Sequence, residues 1–195
     1  ATIKVAVSAD GFLLAVHIIF FGTGKKVEKY VDSDKVVVTF QKKAWIDGPG
    51  QKEWFKRVLK PYLRDVKAKL SLDPATEALL VNDNVKPHHY WEARRYAYEQ
   101  LYTLNMNTPP NLTVAIQAID DQIGNLVRRD AEEIINDAID EDPQKKWMPK
   151  EKRCLFVKAY TTVVGNWRSS ESRRALIRGS VTRTGLAMEV SGRVP

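Results

Sequence analysis

The alternation of apolar and polar residues at the start of the chain predicts a β-hairpin. Residues 2–9, TIKVAVSA, alternate with a period of two, and residues 12–22, FLLAVHIIFFG, form a second apolar, β-rich segment. Between them lies Asp10-Gly11, a dipeptide typical of hairpin turns. We therefore expect an antiparallel hairpin over residues 2–22 and a further extended segment at VVVTF, residues 36–40.

The rest of the chain alternates between helical and strand patterns. Apolar residues at helical spacing predict a helix over residues 52–70, in which Pro61 marks a kink or the start of a second segment. The other predicted elements are a strand over 77–83, a helix over 90–100, a strand over 101–106, and helices over about 115–142, 150–166 and 170–184, the last beginning at Ser169-Ser170-Glu171. Strands that alternate with helices favour a layered α/β domain.

Length and composition are those of an ordinary globular protein, since 195 residues suffice for one domain with a sizeable core. The one cysteine, Cys154, excludes an internal disulfide framework and fits a reducing, intracellular compartment. It has no Cys or His neighbours at the spacing of a zinc site. The longest apolar run, residues 12–21, is too short to span a bilayer, so we expect no membrane insertion.

Positive charge is concentrated at the end of the sequence. Residues 143–195 hold 12 Lys/Arg against 3 Asp/Glu, a net charge of +9, whereas residues 1–142 carry 19 against 21. This asymmetry predicts an α/β domain over 1–142, a basic helical extension over 143–195, and nucleic acid or another anionic partner for the extension. The predicted contacts are Arg168, Arg173, Arg174, Arg178 and Arg183. The alternative is an Arg-rich helical surface that only faces solvent.

The stretch LLVNDNVKPHHYW, residues 79–91, is the strongest chemical signal. Its short apolar run predicts a buried strand, and Asp83 follows at the strand end, where α/β sheets place their ligands. Asp83 is equally typical of a turn that caps the next helix. His88 and His89 either line a site or lie at the surface, whereas His17, inside an apolar strand, is expected to be a hydrogen-bonded core residue.

Five segments, in this order, resemble the catalytic domain of DDE transposases of the mariner/pogo group, which has an RNase H-like fold with a mixed sheet flanked by helices. They are AVSADGFLLAVHIIFFG, KKAWIDGPGQKEWFKRVLKPYL, ALLVNDNVKPHH, TPPNLTVAIQAID and SSESRRALIRGSVTRTGLA. The resemblance implies that Asp83 is the second catalytic aspartate, with Asn84 and His88 lining the site, and that Asp120 is the third acid. It also implies two Mg²⁺ or Mn²⁺ ions held by carboxylates for phosphoryl transfer on DNA.

This assignment makes two geometric predictions. The hairpin over 2–22 should lie in one sheet with the strand that ends at Asp83, and the carboxylates of Asp83 and Asp120 should lie roughly 4 to 8 Å apart. Asp121 is a rival for the third position, and Asp120 is also a residue type that a helix N-terminus favours.

The sequence departs from the family pattern at the first catalytic aspartate, which lies on a strand upstream of the hairpin. Asp10, in the hairpin turn, does not match that position, so we expect residues 1–195 alone to lack nuclease activity. Two readings follow: a DDE transposase or endonuclease, expected in the nucleus, or an inactive, domesticated domain that serves as a binding or structural subunit of a larger assembly, nucleoprotein or otherwise, for which an organelle is equally suitable.

Overall fold

The computed structural model describes residues 1–22, 34–109 and 122–186. Its elements are, in chain order, β1 Thr2–Lys4, β2 Val16–Phe21, β3 Val36–Gln41, α1 Gly48–Trp54, a π turn Phe55–Leu59, α2 Lys60–Lys69, β4 Ala78–Asn82, a 3₁₀ turn Lys86–His89, α3 Trp91–Leu101, β5 Thr103–Asn107, α4 Gly124–Asp140, α5 Pro149–Ser169 and α6 Glu171–Arg183. The α/β class predicted from the sequence is confirmed. No helix within the described ranges is long and apolar enough to cross a membrane.

The chain divides into two compact units. Unit 1 comprises residues 1–44 and 118–195, and unit 2 comprises residues 45–117. The boundary after residue 142 that the charge distribution suggested stays a prediction. Helix α5 of the basic segment supplies Val157, Tyr160 and Trp167 to the core of unit 1.

The sheet of unit 1 confirms the hairpin. Strand β1 pairs antiparallel with β2, in a register that sets Ile3 opposite Ile18, and β3 pairs with the other edge of β2 in the parallel direction. Gly11 in the turn has φ +92°, and a Cβ at that position would lie 2.5 Å from the carbonyl oxygen of Arg174. Glycine is therefore required here both by the backbone conformation and by the close approach of helix α6.

The core of unit 1 forms where β2 packs with the three C-terminal helices. Strand β2 is buried along Val16–Phe20, and α4, α5 and α6 contribute residues such as Val127, Val163 and Ile177, all fully or almost fully buried. Burial also raises the pKa of Tyr160 to about 12, so its hydroxyl remains protonated at neutral pH.

Helix α6 begins where the sequence predicted. Ser170 is the N-cap of α6, and its hydroxyl oxygen accepts a hydrogen bond from the backbone N–H of Arg173. Within this corner Asp130 of α4 accepts two hydrogen bonds on Oδ2, one from the Trp167 indole and one from Arg173, both at 2.8 Å. The Arg173 guanidinium also stacks on the Trp167 ring at 4.8 Å. One carboxylate thus links three helices.

Unit 2 begins with a helix that is interrupted before Pro61. Asp47 caps α1, accepting a hydrogen bond from the N–H of Gly50 at 2.7 Å. In the following π turn, the N–H of Lys60 bonds to the carbonyl of Phe55. Because proline has no N–H and is tolerated in a first helical turn, α2 starts at this point. The predicted second segment at Pro61 is confirmed.

The sheet of unit 2 contradicts the prediction of a single sheet. Strand β4 pairs in parallel with β5, from Ala78 opposite Thr103 to Asn82 opposite Asn107, and the described strands form two separate sheets. The prediction that the hairpin and the strand ending at Asp83 share a sheet is wrong for these residues. An apolar pattern specifies which face of a strand is buried without specifying its hydrogen-bonded neighbour.

Replacing Asp130 tests the corner of unit 1. Asp130→Ala leaves the indole N–H of Trp167, a residue 1% exposed, without its acceptor, and a buried unsatisfied group costs about 1–3 kcal/mol. We expect the free energy of unfolding, measured in urea, to fall by about that amount. Asp137→Ala, at an exposed position of the same helix, is the control and should change it by less than about 0.5 kcal/mol. Equal effects of the two variants would refute this role for Asp130.

Candidate active site at the end of strand β4

Parallel pairing brings the ends of β4 and β5 to one edge of the unit 2 sheet. Asn82 is the last residue of β4 and lies opposite Asn107, the last residue of β5. One further hydrogen bond, from the N–H of Thr108 to the carbonyl of Asn82 at 2.8 Å, extends the pairing beyond the strands. Asp83 therefore emerges beside the end of β5, at the edge where α/β sheets place their ligands.

The backbone turns sharply after Asp83 and brings His88 back to it. The 3₁₀ turn Lys86–His89 is closed by a hydrogen bond from the N–H of His88 to the carbonyl of Val85. Nδ1 of His88 lies 2.5 Å from Oδ1 of Asp83 and 3.0 Å from its carbonyl oxygen. Because both neighbouring atoms are acceptors, Nδ1 carries the hydrogen. His88 is thus a buried residue that orients Asp83, and the alternative of a surface histidine is wrong.

The second histidine connects the ends of the two strands. His89 is exposed, and its Nε2 lies 2.5 Å from Oδ1 of Asn84. Nδ2 of Asn107 lies 3.1 Å from the His89 ring nitrogens, so Nε2–H donates to Asn84 while Nδ1 accepts from Asn107. We call Asp83, Asn84, His88, His89 and Asn107 the carboxyl-edge cluster.

Sequence reasoning did not single out Asn107. It stands directly after the predicted strand 101–106, which is the same strand-end position that drew attention to Asp83. If polar residues at the ends of both strands are taken as candidates, Asn107 is among them. Its contact with His89 could not be anticipated, because it depends on the register between β4 and β5.

The carboxyl-edge cluster suits a hard cation better than a transition metal. Asp83 offers carboxylate oxygen, the donor that Mg²⁺ and Mn²⁺ prefer, and its side chain is 37% exposed. Its hydrogen-bonded imidazole matches the way ligating carboxylates are held in metal sites. Among the described residues no group of three or more His, Cys, Asp or Glu side chains could hold a metal ion. The third predicted acid, Asp120, and its rival Asp121 lie outside the described residues.

Two of the five arginines predicted to bind an anionic partner take part in fold contacts. Arg168 is 16% exposed, donates to the carbonyls of Leu13 and Asp34, and stacks on the Phe12 ring at 4.5 Å. Arg173 is held by Asp130 and Trp167. These contacts attach α5 and α6 to neighbouring segments of unit 1. They explain both arginines without an anionic binding partner.

Arg174 and Arg178 are 35% and 39% exposed, close to Arg173 at 32%, and Arg178 also donates to the carbonyl of Asp10 at 3.4 Å. Arg174 and Arg178 both approach Glu171, at 3.9 and 2.5 Å, and the hydrogen bond from Arg178 is the main cause that holds the pKa of the Glu171 carboxyl below its usual value. Arg183 is exposed at the end of α6. Binding of an anion by the five arginines stays a prediction.

The remaining candidates are structural. His17 is fully buried, and its Nε2 lies 2.8 Å from the hydroxyl of Thr39 on the neighbouring strand, as expected for a core histidine. Cys154 is also buried, in the core of unit 1. Neither residue belongs to the carboxyl-edge cluster.

Comparison with known proteins identifies the family. The family model described as DDE superfamily endonuclease matches residues 1–176, which include all of unit 2 with the carboxyl-edge cluster and most of unit 1. No curated protein and no solved structure matches the chain. The match covers most of the sequence, and the chain belongs to the DDE superfamily endonucleases.

Proposed function

We propose that the chain is a transposase-derived domain whose ancestral activity is metal-dependent cleavage or transfer of DNA strands, with Asp83 as a metal ligand. The observation that carries this proposal is the position of Asp83 at the carboxyl end of β4, where the buried His88 holds its carboxylate at 2.5 Å. Membership of the DDE superfamily endonucleases supports the reaction class and a nucleic-acid substrate.

Each residue of the proposed site has a separate role. Asp83 and Asp120 would hold Mg²⁺ or Mn²⁺, which when bound neutralises the charge that develops as a phosphodiester P–O bond breaks. His88 keeps the Asp83 side chain in one orientation through Nδ1–H, and its burial prevents water from taking its place. Asn84 and His89 line the edge where the phosphate would approach.

A second candidate function is a binding or structural subunit without catalysis. In this candidate Asp83 and Asp120 act without a third carboxylate. A site with two carboxylates binds its ions more weakly and places the attacking oxygen poorly. The two candidates share the metal-ligand role of Asp83 and differ in whether DNA is cut.

Metal binding tests the role of the carboxyl-edge cluster without any assay of activity. We expect Mn²⁺, followed by electron paramagnetic resonance, to bind the chain about 10- to 100-fold more weakly after His88→Ala, because the carboxylate loses its orienting hydrogen bond. Asp83→Asn should weaken binding at least as much. His88→Gln, which retains an N–H donor, should recover part of the affinity.

Asp65→Asn is the matched control for the metal experiment, since it removes one exposed carboxylate from the same unit. It should leave Mn²⁺ affinity unchanged. If Asp83→Asn and Asp65→Asn behave alike, Asp83 is not a ligand and the site assignment is lost.

Nicking of supercoiled plasmid separates the two candidate functions. For residues 1–195 by themselves we expect no nicking above background in Mg²⁺ or Mn²⁺, since only two carboxylates are assigned. Metal-dependent nicking that Asp83→Asn abolishes would show that a third ligand is present and would establish the nuclease. Nicking that persists in the Asp83→Asn variant would indicate a contaminating nuclease. The expectation that residues 1–195 do not nick DNA would then be unaffected.

Binding of DNA across a salt series tests Arg174, Arg178 and Arg183. Phosphate contacts release counterions, so replacing Arg174, Arg178 and Arg183 by alanine should make the dependence of log K on log salt shallower by about 2 to 3. A control with Lys145, Lys146 and Lys150 replaced removes the same charge from exposed positions of the basic segment. Equal changes in the two triple variants would mean that net charge, and not these arginines, determines binding.

A further inference from the structure

A groove in unit 2 lies between helices α1 and α3. It has a volume of about 410 Å³ and is lined by Lys52 from α1 and by Trp91, Glu92, Arg95, Tyr96 and Glu99 from α3. All of these residues belong to unit 2. The carboxyl-edge cluster uses none of them.

Trp91 is unusual in this groove because its indole faces solvent. It is 61% exposed, whereas Trp54 and Trp167 are each 1% exposed and belong to the packed interior. Scattered exposed apolar side chains are common and by themselves indicate nothing. Trp91 differs because it lines a concave surface to which the facing helix contributes a cation, Lys52.

The helical segment that runs from α1 into α2 is strongly basic. Residues 52–64 contain five Lys/Arg and one Asp/Glu, a net charge of +4. Lys56 lies over the Tyr96 ring at 6.0 Å and, like Lys60, is exposed. The two acids of the groove are already compensated, Glu92 by Lys52 at 3.7 Å and Glu99 by Arg95 at 2.7 Å. The excess positive charge therefore comes from the lysines of the helix that begins at α1.

An accessible aromatic ring beside a row of cations is the combination that binds unpaired nucleotides. Bases stack on aromatic side chains while the cations follow the phosphates, and this mode needs no base sequence. An acidic peptide would use the cations and leave the Trp91 ring without a planar partner. A duplex would use the cations too, but its paired bases are not available for stacking.

We propose that the α1–α3 groove binds single-stranded nucleic acid, with a base stacked on Trp91 and phosphates at Lys56 and Lys60. The proposal rests on the proposed function in one respect, which is that nucleic acid is the partner. A domain derived from enzymes that cut DNA strands encounters unpaired nucleotides at strand ends, and the groove would retain them.

The test is fluorescence anisotropy with a labelled oligothymidylate of about 12 nucleotides, in EDTA so that no cleavage occurs. Trp91→Ala should weaken binding about tenfold, the lower range for loss of one stacked base, and Trp91→Phe should recover much of it. Trp45→Ala is the matched control, because Trp45 is 74% exposed and does not line the groove. Equal losses for Trp91→Ala and Trp45→Ala would overturn the proposal.

A second arm uses charge. Replacing Lys56 and Lys60 by alanine should make the salt dependence shallower by about 1.4, at roughly 0.7 for each single-strand phosphate contact. Replacing the exposed Lys150 and Lys152 of unit 1 removes the same charge and should have a smaller effect. Equal effects would show that only net charge determines binding and would refute phosphate binding at Lys56 and Lys60.

Two further measurements make failures distinguishable. A duplex of the same length should bind without sensitivity to Trp91→Ala, and poly-glutamate should compete poorly with the oligonucleotide; the opposite result in either case refutes stacking of an unpaired base. If the unaltered chain binds no nucleic acid, the proposed function and this inference fail together. If the unaltered chain binds nucleic acid and the groove variants bind it equally well, only the proposal for the groove fails.

Discussion

The parallel pairing of β4 with β5 is the constraint on which the candidate site depends. Two strands that run in the same direction end at the same edge, and the register sets Asn82 opposite Asn107. Asp83 follows Asn82 and therefore emerges at the same edge as Asn107. Because side chains alternate between faces, a slip of one residue would turn these groups to the opposite face and separate the His89–Asn107 contact.

The contact between His88 and Asp83 then gives the edge its chemical character. A carboxylate at a strand end has several accessible rotamers, and a neighbouring N–H donor selects one of them. Here the donor is itself buried, 8% exposed, so its position is fixed by packing. The 3₁₀ turn makes this possible, because it returns the chain to Asp83 within five residues. A rigid orienting group next to an accessible oxygen is what a metal ligand requires.

Positive charge in this chain serves two purposes that a count cannot separate. Arg168 and Arg173 lie in the segment with the highest net charge, yet their guanidinium groups hold backbone carbonyls, a carboxylate and aromatic rings of unit 1. Lys56 and Lys60 lie outside that segment and are exposed. Arginine suits internal contacts because its planar group can donate and stack at once, whereas lysine carries a single, strongly hydrated charge. Accessible charge, and not total charge, identifies the surfaces on which an anion can bind.

The sequence by itself determined the local structure: the hairpin turn at Gly11, the start of α6 at Ser170, the start of α2 next to Pro61, and Asp83 as a strand-end acid. Each of these follows from backbone preferences or from a period of two or 3.6 residues, which short stretches of chain express. Only the tertiary structure decided that β4 pairs with β5 and not with the hairpin, that His88 is buried against Asp83, and that Asn107 joins the edge. These depend on which distant segments hydrogen-bond to each other, and an apolar pattern records that a face is covered without recording what covers it.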